Sequence, residues 1–304
     1  MYEPKNDKHG VGTLVILLVV VIVVVAAAAT YIVIASGDDD SDKLREMGPG
    51  TVMEYDVSIN GSKMGSAKYD YIGQNSGEYF VEMTVVLGGG SATYYDVGPK
   101  GVPTGAKKTG TVELDTMDGR KTLDVWEYTK KEGGAVYNMK AYADQERDMT
   151  YRQEAIVDGI LEVQELTSYS IKWQESYKES ESIGDTYVYS AKLAGIPVEI
   201  YIKCIADCDN GRYGILFDFE SYTGESQYVL SDYSRGLPSD AADTGERTTL
   251  KGTIDGDVSV EKWTLDDGEG IVWTFFCGSE SHVIYRISTD ATGMETVFDL
   301  SKKP

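Results

Sequence analysis

Two hydrophobic patterns divide this chain. From Gly10 to Gly37 there is no charged side chain, whereas beyond Thr51 apolar residues come in short runs, many alternating with polar ones. The first pattern predicts a transmembrane helix over residues 11–36, about 39 Å long at the α-helical rise and so able to cross a bilayer with some tilt. The β-branched run Val19 to Val25 would suit a buried strand in water. In lipid a segment must satisfy its own backbone hydrogen bonds, which selects helix. A cleavable signal peptide is the competing reading, since Ala26 to Ala29 offers a small-residue cleavage site. Against it, the apolar run continues through Tyr31, Ile32, Val33 and Ile34, where a signal peptide turns polar.

The second pattern predicts strands. Met53–Ile59, Ser66–Ile72 and Tyr79–Leu87 are separated by Asn60-Gly61 and by Asn75-Ser76-Gly77, and Asn-Gly between alternating runs marks a tight hairpin. Further strands are expected over Thr111–Thr116, Thr122–Tyr128, Ala135–Tyr142 and Met149–Glu154. Leu161–Trp173 completes the run, with odd positions Leu161, Val163, Tyr169, Ile171 and Trp173 expected on one face. An antiparallel meander of this length must hide its edges, so the expected fold is all-β: a curved sheet, barrel or sandwich.

The pattern then repeats. A constant shift of 134 residues aligns Gly50 with Gly184, Tyr55 with Tyr189, Gly61 with Gly195, Gly77 with Gly211, Tyr79 with Tyr213, Gly90 with Gly224 and Tyr94 with Tyr228. Asp118-Gly119 matches Asp255-Gly256 and Trp126 matches Trp263 at a shift of 137, and Tyr151 matches Tyr285 at 134 again. Drift of this size fits small insertions in loops. Two tandem duplicated antiparallel modules are therefore expected, residues 49–173 and 184–300, after a cytoplasmic segment 1–10, the helix, and an acidic linker 37–50. Trp126 and Trp263, with Tyr137, Met139 and Ala141 set against Trp273, Phe275 and Cys277, read as equivalent core positions; an aromatic ligand pocket is the sharper reading.

Charge changes the picture by exclusion. The chain holds 28 Lys plus Arg against 50 Asp plus Glu, a formal charge of -22, so most of its surface repels nucleic acid and anionic headgroups. Abundant Tyr (22) and Gly (33) with scarce Pro (7) agree with strands joined by tight turns. Basic residues flank the helix almost equally, Lys5 and Lys8 before it and Lys43 and Arg45 after. Nothing in the large C-terminal part argues for cytoplasm, so the expectation is a single-pass plasma-membrane protein with that part outside.

Candidate chemistry is sparse. The two histidines are His9, ahead of the helix, and His282, in the polar turn Gly278–His282. A multi-histidine metal site is therefore excluded, and no catalytic, cofactor-binding or metal-ligating residues are assigned. Leu87-Gly-Gly-Gly-Ser91 lacks the lysine of a phosphate loop and reads as a flexible turn. Asp207-Cys-Asp209-Asn210-Gly211 opens like a calcium loop but lacks the distal glutamate, so it reads as a turn. The acidic run Asp38, Asp39, Asp40 and Asp42 reads as a solvated spacer. A disulfide among Cys204, Cys208 and Cys277 is open in all three pairings, and Asn60-Gly61-Ser62 is an N-glycosylation sequon in a hairpin.

The Val11–Ser36 anchor, the Asp-rich stalk and the repeated Asp118-Gly119 and Asp255-Gly256 hairpins together resemble uncharacterised archaeal single-pass membrane-anchored extracytoplasmic β-repeat proteins. The resemblance implies architecture and carries no catalytic motif. Archaeal pilins also begin with a short basic segment, a glycine and an apolar helix; here His9-Gly10 departs from the processing signal. The expected function is a non-catalytic extracytoplasmic binding or structural envelope protein, held to the membrane by residues 11–36, with an envelope protein, glycan or lipid as partner. Alternatives are a carrier of an apolar ligand inside a curved sheet, a surface hydrolase built on clustered carboxylates, and a pilin-like filament subunit.

Overall fold

The computed structural model describes residues 46–99, 105–132, 135–144, 149–174, 177–219, 221–222, 226–266, 271–291 and 294–304. The expected cytoplasmic segment, the helix over 11–36 and most of the linker lie outside the described residues. Among those described, no helix is long and apolar enough to cross a membrane. Their regular structure is antiparallel β, apart from a three-residue 3-10 turn at Asp209–Gly211. The chain divides into two compact units: the residues up to Ile72 with Gly77–Ser176, and Gly73–Ser76 with Tyr177–Pro304.

The first unit holds β1 (Glu46–Met47), β2 (Thr51–Ile59), β3 (Ser62–Gln74), β4 (Glu78–Leu87), β5 (Gly90–Pro99), β6 (Lys107–Thr116), β7 (Gly119–Glu132), β8 (Ala135–Asp144), β9 (Met149–Val157), β10 (Ile160–Ser170) and β11 (Trp173–Gln174). Its ladder runs β3-β2-β10-β9-β8-β7-β6, because β10 returns to pair with β2. The β4-β5 hairpin comes against β3 at Gly65, where a Cβ would stand 1.8 Å from the Val86 carbonyl oxygen, so only glycine permits the approach. β1 pairs with β11 and Met47 is buried. Strand structure is therefore already present at Glu46, inside the stretch expected as linker. The turns form because their residues accept left-handed backbone: Asn60 and Gly61 sit at φ 48° and 80°, Gly88 and Gly89 at 56° and 89°. That second turn joins β4 and β5 in a hairpin, at the glycine-rich turn expected between strands there.

The second unit holds β12 (Thr186–Leu193), β13 (Ile196–Cys208), β14 (Tyr213–Asp218), β15 (Ser226–Ser231), β16 (Ala242–Thr253), β17 (Gly256–Asp266), β18 (Ile271–Gly278), β19 (Ile284–Ala291) and β20 (Met294–Lys302). The ladder runs β15-β14-β13-β12-β20-β19-β18-β17-β16, and its part from β13 to β16 repeats the first unit's order from β3 to β6 strand for strand. Finer details recur too. Tyr151 donates to Asp118 at 2.5 Å, and Tyr285 donates to Asp255 at 2.5 Å, each tying the tip of an Asp-Gly hairpin back to the sheet. Lys108 pairs with Asp124 at 2.6 Å and Arg247 with Glu261 at 3.0 Å.

Pairing also corrects the repeat register. Trp126 lies opposite Ala141 and Trp263 opposite Phe275, so Met139, Ala141 and Ala143 correspond to Trp273, Phe275 and Cys277, two residues away from the alignment drawn on sequence. Each unit curls so that one sheet face encloses a core. Met53, Tyr55, Tyr69, Tyr79 and Met83 lead the first core; Ile200, Phe217, Phe275, Ile287 and Phe298 lead the second.

Candidate functional site

Part of the inward face of the first unit, on β9 and β10, is polar where the rest of the core is apolar. A bulge on β10 between Leu166 and Ser168 shifts the alternation, so Glu162, Gln164 and Leu166 point inward before it and Tyr169 after it. Leu161 and Val163 therefore take the opposite face, contrary to the expectation that they share one with Tyr169. Cross-strand pairing lines up Trp126, Ala141, Gln153, Gln164 and Val57 in one row, and Tyr128, Met139, Ala155, Glu162 and Ile59 in the next.

Within these rows the polar groups form short chains. Tyr69 donates its hydroxyl to Gln164 Oε1 at 2.8 Å, and Gln164 Nε2 donates to Glu162 Oε1 at 2.9 Å. Gln153 Nε2 donates to the Tyr128 hydroxyl at 3.1 Å. Glu162 is 3 % exposed, and its second oxygen, Oε2, has no hydrogen-bond partner among the described residues. Burial disfavours its charged form and pushes its pKa up to about 8, against the opposing help of the Gln164 amide. A buried carboxyl with one oxygen unpartnered is costly unless something else meets it.

The second unit shows the same rows filled differently. There Trp263, Phe275, Ile287 and Phe298 make the first row, and Leu265, Trp273, Thr289 and Thr296 the second. Gln164 is thus replaced by Phe298, Gln153 by Ile287, Ala141 by Phe275 and Glu162 by Thr296. The β14-β15 connection completes the packing: its ladder ends at Asp218 opposite Ser226, and the loop turns inward. Phe219 stacks on Trp273 with ring centres 4.8 Å apart, and Tyr222 meets Phe298 edge-on at 5.2 Å. The Tyr222 hydroxyl donates to Thr296 Oγ1 at 3.3 Å. In the first unit the matching chain instead continues as the regular β4-β5 hairpin to Gly88-Gly89. The Trp126 and Trp263 indole N–H groups are both buried without a hydrogen-bond partner among the described residues. That feature is common to the two units and does not distinguish them.

No family model matches this chain. Comparisons with curated proteins and with solved structures find no match either.

The residues singled out from sequence lie elsewhere. All three cysteines are free thiols; Cys204 and Cys277 belong to the second core. Burial pushes the Cys204 and Cys208 thiols up to about 12 and that of Cys277 up further. Cys208 Sγ stands where a Cβ on Gly73 would fall. Asn60 is exposed at its hairpin, its side-chain oxygen accepting from the Leu161 backbone N–H at 3.1 Å. His282 occupies a left-handed turn position and stacks on Tyr233 at 4.1 Å. Asp207 Oδ2 accepts from the Tyr177 hydroxyl at 2.6 Å and the Ser180 N–H at 2.9 Å, which gives it a turn-fixing role. Among the described residues no three His, Cys, Asp or Glu side chains are grouped to hold a metal ion. An open depression of about 560 Å³ on the first unit is lined by Glu127, Asn138, Lys140 and Glu154 from the outward face. Lys140 and Glu127 pair there at 3.0 Å.

Glu162, Gln164 and Gln153 escaped sequence reading, yet one signal marked them. At the repeat shift of 134 they fall against Thr296, Phe298 and Ile287, polar for apolar at two inward positions of a duplicated core.

Proposed function

We propose that this chain is a membrane-tethered, non-catalytic binding protein of the extracytoplasmic side, in which the first unit receives a small ligand on its concave face and the second is a structural counterpart. The observation that carries this reading is the contrast at equivalent positions: Glu162, Gln164 and Gln153 inside the first unit against Thr296, Phe298 and Ile287 inside the second. At two of these positions, Gln164 against Phe298 and Gln153 against Ile287, the second unit is apolar where the first is polar. Keeping three buried polar side chains in the first unit costs stability, which points to a task other than folding. A purely apolar ligand fits this interior less well, because Glu162 and the two amides would be buried against hydrocarbon. The immediate partner of Glu162 is an amide, with no second acid or base on it, which favours binding over acid–base chemistry.

The tether rests on the charge-free stretch from Gly10 to Gly37. Native mass spectrometry of the full-length protein, isolated from its own membranes in nanodiscs, tests the binding reading. The expected result is a small molecule retained by the wild type and absent from Ala141→Phe, which installs the second unit's phenyl ring. Equal bare masses for both proteins would oppose it. Protease treatment of sealed vesicles tests the topology, with residues beyond 45 expected to be cut only from the extracytoplasmic side.

A further inference from the structure

The second unit shows what group its fold accepts beside this position. Tyr222 enters from the β14-β15 connection, lays its ring edge-on against Phe298 and donates a hydrogen bond from its hydroxyl to Thr296 Oγ1. Thr296 occupies the place that Glu162 holds in the first unit, set by the pairings Thr289 to Thr296 and Ala155 to Glu162. In the first unit the matching connection supplies no such ring. It is a two-residue turn of Gly88 and Gly89, and the strands leading to it stay paired through Leu87 and Gly90.

Three inward side chains are also smaller in the first unit. Met139 stands for Trp273, Ala141 for Phe275 and Val85 for Phe219. What remains is a polar oxygen in the matching place. Glu162 Oε2 is buried and unpartnered, while Oε1 is already held by Gln164 at 2.9 Å. Half-buried Tyr128 and buried Met139, in the same row, bring an aromatic ring and a thioether beside this position.

We propose that the first unit binds a phenol, its ring taking the place Tyr222 takes in the second unit and its hydroxyl hydrogen-bonded to Glu162 Oε2. This rests on the reading of the first unit as the binding unit and names the ligand chemistry. Such a group completes the hydrogen bonding of a buried carboxyl in either protonation state, since a phenol hydroxyl donates to Oε2 of the carboxylate and accepts from Oε2 once that oxygen carries the proton. It also supplies the aromatic area lost where Trp273, Phe275 and Phe219 are replaced by smaller side chains. A phenol can arrive free or as the side chain of a tyrosine.

The test is calorimetric titration of the full-length protein in nanodiscs with N-acetyl-tyrosinamide, N-acetyl-phenylalaninamide and p-cresol. The tyrosine amide or p-cresol is expected to bind at one site per chain, and the phenylalanine amide about tenfold more weakly or worse, because it leaves the carboxyl unmet. Binding of p-cresol alone assigns a free phenol, and binding of both phenols assigns a tyrosyl group. Glu162→Leu should abolish the preference for the hydroxyl, and Ala141→Phe should abolish binding. Equal affinity for the tyrosine and phenylalanine amides, or no binding of either phenol, overturns the proposal. If that happens while a different molecule is retained by the wild type and lost from Ala141→Phe, the first unit is still the binding unit and only the phenol is wrong.

Discussion

The buried Glu162 carboxyl makes a quantitative prediction about how stability depends on pH. In the unfolded chain a glutamate titrates near 4.5, and in the first unit burial moves it to about 8. Between those values the folded state holds a proton that the unfolded state has released, so the contribution of this group to stability falls as pH rises. The slope is about 1.4 kcal/mol per pH unit, giving a loss on the order of 4 to 5 kcal/mol by pH 8. Below pH 4.5 both states are protonated and the contribution is level. Glu162→Gln keeps the shape and the acceptor used by Gln164, but it carries no charge to desolvate. The variant is therefore expected to match the wild type at pH 4.5 and to exceed it by several kcal/mol at pH 8. Urea unfolding with pulse-labelled hydrogen exchange on peptides from β8 to β10 isolates the first unit for this comparison. A wild-type-to-variant difference that stays constant from pH 5 to 8, or a variant less stable at pH 8, would refute the reasoning.

Other consequences follow from equally specific contacts. Gly65→Ala places a Cβ 1.8 Å from the Val86 carbonyl oxygen, and neither backbone can yield without breaking the sheet. A loss of about 3 kcal/mol or more is expected in urea unfolding of the first unit. Tyr285→Phe removes the bond to Asp255 and should cost about 1 kcal/mol, with faster hydrogen exchange at the Asp255-Gly256 tip; an unchanged tip would contradict the latch. The three thiols should resist iodoacetamide at pH 8 in the folded protein and all react in urea, because burial raises each of them. Rapid alkylation of Cys204 or Cys277 without denaturant would show that the second core opens.

Much of this fold was legible in the sequence because turns and alternation are local. Asn60-Gly61 sets a hairpin whatever surrounds it, and apolar residues at alternate positions of β8 and β9 face inward as their spacing requires. The repeat was legible because tyrosines and glycines at fixed offsets carry the same contacts twice, as with Tyr151 to Asp118 and Tyr285 to Asp255. The candidate site was hidden for two reasons. Alternation along Leu161–Trp173 assumes an unbroken strand, and the bulge beside Ser168 reverses the inward face halfway. Alternation also assigns polar residues to solvent, so Glu162 and Gln164 read as outward until pairing with β9 and β2 placed them inside. The return of β10 to β2, a contact between strands about 100 residues apart, is tertiary information that no local pattern contains.

The division of labour between the two units is the central claim, and hydrogen exchange tests it most directly. The full-length protein, isolated in nanodiscs with its retained small molecule, should be compared with the same protein after that molecule has been stripped. The account predicts faster exchange after stripping in β8 to β10, with β18 to β20 unchanged. Equal changes in both sets of strands, or a change confined to β18 to β20, would contradict it.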